Sequence, residues 1–247
     1  MFKPRGLLIV GLLLLLSAPA AFAAPISFED PGGFAAEGWE TAGNVQRVGP
    51  VGLPISFPLY TANPTDGNWQ ALLGTDGLGV AYMEAWFGVA AGSLSTPDVN
   101  GNAYTRGSGL KREFTLAAGD TVTFDWTFVS GDTVPTPDAP FNDAAYFISN
   151  VGTQQLLSTV FMAGGSIGDV NSGTFTATVG GTYSLGVGIF DQTDEFELGV
   201  SYLTVDNFNI HQSTGEVGPT PVPEPATLLM LMGGFGAVLT ARRYRVN

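Results

Sequence analysis

The stretch Val122-Thr-Phe-Asp-Trp-Thr-Phe128 decides the fold class. Four apolar residues alternate here with polar ones, which is the two-residue period of a half-buried β-strand. The same alternation is present at residues 110–116, 144–150, 173–179, 183–190 and 202–210. Glycine, asparagine and aspartate separate these runs, as they do in turns between antiparallel strands. The pattern predicts an all-β protein built as an antiparallel β-sandwich, with Trp126 in its core.

Two short turns are expected to join neighbouring strands as hairpins. Ala118-Gly119-Asp120 lies between residues 110–116 and 122–128, and Gly180-Gly181 lies between residues 173–179 and 183–190. One stretch departs from the alternation. Residues 81–87, Ala-Tyr-Met-Glu-Ala-Trp-Phe, predict a single short helix.

The charge of the central part of the chain excludes several classes of partner. The 247-residue chain has a formal net charge of −13 at pH 7 and no cysteine. Between residues 24 and 225, four basic residues stand against 22 acidic residues, a formal charge of −18. Such a surface repels nucleic acids and anionic lipids, whereas it attracts divalent cations such as Ca²⁺. The lack of cysteine excludes disulfides, cysteine-based zinc sites and thiol catalysis.

The first 23 residues have the three parts of a secretory signal peptide. Lys3 and Arg5 precede an apolar run at residues 7–16, and Ala21-Phe-Ala23 forms an A-x-A cleavage site. The apolar run is well short of the ~20 residues that a membrane span requires. We therefore expect signal peptidase to cleave after Ala23 and the domain at residues 24–211 to be exported.

The C-terminal end of the chain consists of a linker, an apolar segment and a basic cluster. The Pro-rich linker, residues 212–225, ends in Pro223-Glu224-Pro225. Residues 226–241 are apolar and as a helix would reach about 24 Å, which makes them a marginal transmembrane span. The tail, residues 226–247, ends with the basic cluster Arg242, Arg243 and Arg245. These arginines are expected to stay on the cytoplasmic side of the membrane.

The Pro-Glu-Pro segment, the apolar helix and the basic cluster together resemble the PEP-CTERM sorting signal. The resemblance covers about 26 residues and implies that an exosortase, a membrane transpeptidase-like enzyme, recognises Pro223-Glu224-Pro225 and processes the protein there. The same tail is also known as an ice-binding-protein C-terminal domain, a name that describes the tail and not the central domain. The alternative is a membrane anchor that is never cut, in a host without the enzyme.

Several blocks of the central region resemble the β-sandwich ectodomain found on PEP-CTERM proteins. These blocks are Thr65-Asp-Gly-Asn-Trp-Gln-Ala-Leu-Leu73, Gly107-Ser-Gly-Leu-Lys-Arg-Glu-Phe114, Asn142-Asp-Ala-Ala-Tyr-Phe147 and Gly181-Thr-Tyr-Ser-Leu-Gly-Val-Gly188. The first and last strands, Phe28-Glu-Asp30 and Val205-Asp-Asn207, also resemble the edges of galactose-binding-like jelly rolls. In those folds a first-strand acid and a last-strand aspartate often hold a structural Ca²⁺. The resemblance therefore makes Glu29 and Asp206 the candidate metal ligands.

Three further stretches contain residue types used in catalysis or binding. Gly164-Gly-Ser-Ile-Gly168 matches the nucleophile-elbow pattern, but the elbow needs an α/β sheet and a histidine base, and the only histidine is His211. The four acids at residues 191–197 lack the spacing of a calcium loop and are interpreted as a solvated turn. Trp69, in the turn-rich Asp66-Gly-Asn-Trp69, is the tryptophan expected to be exposed. It is the candidate ligand-binding residue.

The sequence supports three functional hypotheses. The leading one is an exported, non-enzymatic cell-surface or extracellular matrix protein associated with exopolysaccharide. The alternative is a carbohydrate-binding module, which requires an exposed aromatic platform or a polar-lined groove. The third is a glycoside hydrolase that uses two facing carboxylates. No motif assigns a catalytic residue.

Overall fold

The computed structural model describes residues 26–53, 60–94, 103–131, 143–152, 154–159, 162, 169–192 and 199–213. In these ranges the protein forms one helix and thirteen strands: β1 Trp39–Ala42, β2 Val45–Val48, β3 Val51–Leu53, β4 Tyr60–Ala62, β5 Gln70–Gly74, β6 Leu78–Gly79, α1 Val80–Phe87, β7 Tyr104–Leu116, β8 Thr121–Val129, β9 Ala144–Ser149, β10 Gln154–Thr159, β11 Asn171–Thr176, β12 Gly181–Gln192 and β13 Tyr202–His211. No helix within them has the length and apolarity of a membrane span. The predicted signal helix and C-terminal transmembrane helix lie outside the described residues.

The longer strands form two antiparallel sheets that enclose a common core. The six-stranded sheet has the order β1-β7-β12-β9-β10, with β6 also paired to β7. The five-stranded sheet has the order β11-β8-β13-β5-β2. Strands β3 and β4 form a separate pair. The predicted antiparallel β-sandwich is confirmed.

The core between the two sheets is rich in aromatic residues. Phe124 of β8 stacks on Phe147 of β9, with ring centroids 5.3 Å apart, and on Phe208 of β13 at 5.1 Å. Because Phe147 belongs to the six-stranded sheet and the other two to the five-stranded sheet, the stack joins both layers. Phe128 is buried as the alternation predicts, and Trp126 is half-buried and packs against the same core.

The prediction of two hairpins, at Gly119 and at Gly180, is wrong. Strands β7 and β8, on either side of Gly119, lie in different sheets, and so do β11 and β12 on either side of Gly180. Strand β7 pairs with β1 and β12, whereas β8 pairs with β11 and β13. Each turn is therefore a crossing between the layers, and both strands keep their apolar faces towards the core. Alternation predicts which face of a strand is buried, but it does not determine the partner strand.

The predicted short helix is present as α1, and it covers the outer face of the six-stranded sheet. Its buried side chains Met83 and Phe87 pack against a patch of glycines on β7 and β12. A Cβ atom at Gly109 would lie 2.6 Å from the Phe87 ring, closer than real atoms approach, so this position requires glycine. The helix thereby forms a second, smaller apolar cluster outside the main core.

Two residues with left-handed backbone angles lie beside the candidate metal ligands. Ile26, the first described residue, forms a bridge with Phe208 of the last strand, β13. Phe28, which precedes Glu29, has a φ of 57°, and Asn207, which follows Asp206, has a φ of 54°. Such angles cost about 1–3 kcal/mol in a non-glycine residue and are found where a fold positions particular side chains. They mark the end of the sandwich at which the candidate site lies.

Candidate functional site

The carboxylate of Asp206 holds the beginning of the 65–69 loop. Its Oδ2 accepts hydrogen bonds from the backbone N–H groups of Thr65 at 2.8 Å and Asp66 at 2.9 Å, and its Oδ1 accepts one from Asn207 at 2.8 Å. The residue is only 2% exposed. Burial raises the pKa of Asp206 to about 6, with the backbone N–H groups opposing this rise and the charge of Asp66 adding to it.

The carboxylate of Glu29 holds the end of the same loop. Its Oε1 accepts hydrogen bonds from the backbone N–H groups of Asn68 at 2.7 Å and Trp69 at 2.9 Å. Gly67, with a φ of 60°, allows this approach, because a Cβ there would overlap the Glu29 carboxylate. Burial acts to raise the pKa of Glu29, but the hydrogen bonds from Asn68 and Trp69 and the charge of Arg47 outweigh it and lower the pKa. Glu29 is therefore an ionised anchor for the loop.

The two predicted metal ligands thus converge on one loop, and they bind it through its backbone N–H groups. A calcium ion takes six to eight oxygen ligands. The part of the chain that the structure describes holds no group of three or more His, Cys, Asp or Glu side chains that could bind a metal ion. A cation at Asp206 would have to displace backbone N–H groups, because both of its carboxylate oxygens accept hydrogen bonds from them. Glu29 has Oε1 occupied in the same way, whereas its Oε2 has a longer contact of 3.4 Å with the Asn68 side chain. The calcium site stays a prediction.

Trp69, at the end of this loop, is 38% exposed, as the sequence predicts. The guanidinium carbon of Arg47 lies over its ring, 4.3 Å from the centroid, in a cation–π contact. The Nε of Arg47 also donates a hydrogen bond to the carbonyl oxygen of Phe28 at 2.6 Å. Arg47 therefore holds the indole beside Phe28, and the exposed 38% of the residue is what a ligand could reach.

An open groove of about 470 Å³ lies next to the loop. It is lined by Ile26, Ser27, Glu29, Asp30, Glu37 and Arg112. Both carboxylate oxygens of Glu37 accept backbone hydrogen bonds, from Phe28 at 3.1 Å and from Asp30 at 2.8 Å. The Oδ1 of Asp30 accepts one from Gly32 at 2.7 Å. These acids therefore shape the chain that forms one wall of the groove.

Arg112 reaches the groove from an inward-facing position of β7. It alternates with the buried residues Leu110 and Phe114, and its register partner on β1 is Trp39. Its guanidinium carbon lies 5.8 Å from the Trp39 ring centroid and 5.5 Å from that of Phe114. Burial lowers the pKa of Arg112, and the charge of Glu37 opposes this effect. Among the described residues, no acceptor forms a hydrogen bond or an ion pair with this guanidinium.

The other predicted residues are either outside the described part of the chain or at other places in the sandwich. Six residues of the sorting signal are outside the described residues, namely Pro223, Glu224, Pro225, Arg242, Arg243 and Arg245. The motif at residues 164–168 is outside them too, as are the acids after residue 192. Asp191 forms an ion pair with Arg106 at 2.7 Å. His211, at the end of β13, has its Nε2 3.1 Å from the hydroxyl of Thr123.

Comparison with protein families identifies the C-terminal segment. Residues 221–245 match the family model of the PEP-CTERM protein-sorting motif. This match confirms the sorting signal predicted from Pro223-Glu224-Pro225 and the basic cluster. The matched segment does not include the β-sandwich. No curated protein matches the chain.

Several solved structures resemble this chain at low sequence identity. TmCBM61, solved in complex with β-1,4-galactotriose, is 12% identical, with a TM-score of 0.35 over 75% of this chain and 98% of that one. The K3 cleaved adhesin domain of Lys-gingipain from Porphyromonas gingivalis is 15% identical, with a TM-score of 0.36 over 78% and 99%. The CBM22-1 xylan-binding domain of Xyn10C from Paenibacillus barcinonensis is 14% identical, with a TM-score of 0.30 over 75% and 90%.

Proposed function

We propose that this chain is an exported, non-enzymatic protein of the cell surface or the extracellular matrix. The observation that carries the proposal is the PEP-CTERM motif at residues 221–245. In this proposal signal peptidase removes residues 1–23 after export begins. The apolar segment at residues 226–241 then holds the protein in the membrane until an exosortase processes it near Pro223-Glu224-Pro225.

The two carboxylates that anchor the 65–69 loop are poorly suited to act as the general acid of a hydrolase. A glycoside hydrolase with two carboxylates needs one carboxyl group that stays protonated near neutral pH and reaches the substrate. Glu29 lines the groove, but its pKa is lowered, so it is a poor general acid. Asp206 has a raised pKa, but it is 2% exposed and enclosed by the 65–69 loop. Neither residue combines access with the required protonation state.

Carbohydrate binding is the second candidate function, and Trp69 together with the groove favours it. The exposed indole of Trp69 offers an aromatic surface of the kind that packs against the apolar faces of sugar rings. Its backbone nitrogen lies 2.9 Å from Glu29, which lines the groove. The loop that carries the indole is therefore anchored on a residue that lines the groove. A surface protein with such a site would associate with exopolysaccharide outside the cell, so the two functions are compatible.

The sorting proposal is tested by replacing Pro223, Glu224 and Pro225 with alanine in the full chain. In a host that contains an exosortase, we expect the parent at the cell surface or in the medium and the triple variant in the membrane fraction. Glu216→Ala with Pro219→Ala alters the linker outside the Pro-Glu-Pro segment and serves as the matched control. Equal distribution of the triple variant and the parent would show that this segment does not direct sorting.

A further inference from the structure

The groove beside the 65–69 loop contains hydrogen-bonding groups with few or no partners among the described residues. The guanidinium of Arg112 and the hydroxyl of Ser27 donate to no acceptor among the described residues. Among the described residues, Glu29 Oε2 accepts one long hydrogen bond, 3.4 Å from the side-chain amide of Asn68. In the same part of the chain, Asp30 Oδ1 accepts from the backbone of Gly32, and no donor is found for Oδ2. Donors and acceptors with remaining hydrogen-bonding capacity therefore line the same groove.

This mixture of groups disfavours an anion and suits a neutral ligand that both donates and accepts hydrogen bonds. An anion would be attracted by Arg112 but would meet the carboxylates of Glu29, Asp30 and Glu37 on the same walls. A cation would meet the guanidinium, and the described residues hold no cluster of acids that could coordinate a metal ion. A hydroxyl group donates one hydrogen bond and accepts others. Neighbouring hydroxyl groups can therefore satisfy a guanidinium and a carboxylate together.

The shape of Arg112 fits this chemistry. Its stem lies among the buried side chains of β7, and the rings of Trp39 and Phe114 flank its guanidinium. The planar group carries five N–H donors in a rigid fork, which suits two adjacent oxygen atoms. Because the surrounding packing restrains the guanidinium, little side-chain freedom is lost when a ligand binds.

We propose that this groove is a binding subsite for a neutral saccharide. Arg112 donates to adjacent ring hydroxyl groups, and Glu29 and Asp30 accept from them, while Trp69 supplies the neighbouring aromatic surface. The inference rests on the carbohydrate-binding part of the proposed function and names its site and its ligand class. Uronate-containing chains are disfavoured because their carboxylates would face three acids of the groove.

The probe is an immobilised array of neutral hexose and pentose oligosaccharides beside matched chains that contain uronate. The exported protein is applied to the array, and the best neutral oligosaccharide is then used in titration calorimetry. We expect binding to neutral chains in preference to uronate-containing ones. Preference for the uronate-containing chains would overturn the inference about ligand class.

Variants at two lining residues locate the site. We expect Arg112→Met to weaken binding of the neutral oligosaccharide at least tenfold. Arg112→Lys should weaken binding several-fold, because an ammonium group cannot form the forked pair of hydrogen bonds. Lys111→Met is the control, since it removes the same charge on the opposite face of β7, where Lys111 contacts Trp86 of α1. It should bind within twofold of the parent. Thermal unfolding identifies any variant that fails to fold.

Asp30→Ala provides a second variant that leaves the buried part of β7 unchanged. Asp30 is exposed, and we expect its loss to weaken binding several-fold even if Arg112→Met does not fold. If the parent binds a neutral oligosaccharide and Arg112→Lys and Asp30→Ala bind it equally well, the groove is not the site and the carbohydrate-binding function stands. If the parent binds no oligosaccharide on the array, both the saccharide subsite and the carbohydrate-binding function are contradicted.

Discussion

The carboxylate of Glu29 accepts a hydrogen bond from the backbone N–H group of Trp69 at 2.9 Å, across 40 positions of the chain. Glu29, predicted as a metal ligand, and Trp69, predicted as a ligand-binding residue, are therefore directly connected by a hydrogen bond. The same carboxylate oxygen binds Asn68, and Asp206 binds the other end of the loop. The position of the exposed indole consequently depends on two buried or half-buried acids.

Replacing Glu29 with glutamine should loosen this loop. Hydrogen bonds to a charged acceptor are roughly twice as strong as those to a neutral one. We expect Glu29→Gln to lower the free energy of unfolding by about 1 kcal/mol in urea titrations. Glu40→Gln, on the exposed side of β1, removes the same charge and should stay within about 0.5 kcal/mol of the parent. Equal effects of the two substitutions would contradict the anchoring role of Glu29.

The raised pKa of Asp206 predicts how the stability of the protein depends on pH. Because its pKa is about 6 in the folded protein and 3.8 ordinarily, the folded state takes up a proton between pH 6 and pH 4 that the unfolded state does not. The contribution of Asp206 to the free energy of unfolding therefore increases as the pH falls from 7 to 4, by at most about 3 kcal/mol. The same contribution is lost as the pH rises through 6.

The contribution of Asp206 is isolated by comparison with Asp206→Asn. Glu29 and Asp120 have lowered pKa values, so their contributions run in the opposite direction and are common to both proteins. The free energy of unfolding of the parent minus that of the variant should increase from pH 7 to pH 4. A difference that shrinks over this range would mean that the N–H groups of Thr65 and Asp66 dominate over burial.

The predicted calcium site has its own test. If Ca²⁺ binds at Glu29 and Asp206, millimolar Ca²⁺ should raise the melting temperature, and a chelator should reverse the rise. Asp206→Asn and Glu29→Gln should reduce the rise at matched ionic strength, whereas Glu40→Gln should leave it unchanged. An equal response in all four proteins would identify general screening of the acidic surface instead of a site.

Two aromatic residues of β8, Phe124 and Trp126, are expected to contribute differently to stability. Phe124→Ala should lower the free energy of unfolding by about 3–5 kcal/mol, because Phe124 is 1% exposed and stacks on two other rings. Trp126→Ala should cost less, since Trp126 is half-buried and its buried indole N–H has no hydrogen-bond partner among the described residues. Urea unfolding measures both. A larger loss for Trp126→Ala would overturn this assignment.

The strands and the helix could be predicted because their signals are local. Alternation at residues 122–128 indicated which side chains of β8 face the core, and the break in alternation at residues 81–87 indicated α1. Sheet membership could not be predicted, because a turn such as that at Gly119 can close a hairpin or cross between layers. That choice depends on the packing of distant strands.

The candidate site was predicted in part. The exposure of Trp69 follows from its turn-rich surroundings. The convergence on its loop could not be read locally, because Glu29 is 39 positions from Asn68 and Asp206 is 141 positions from Thr65. Arg112 was missed, although it occupies a position where the alternation of Leu110 and Phe114 calls for an apolar residue. A charged residue in an apolar register was the available signal.

Mass spectrometry of the protein recovered outside the cell tests the central claim most directly. The proposal of export and sorting predicts a mature chain that begins at Ala24 and ends close to Pro223-Glu224-Pro225. The measured mass should therefore lack both the signal peptide and the tail at residues 226–247. Recovery of the intact peptide at residues 242–247 from the extracellular protein would contradict the account.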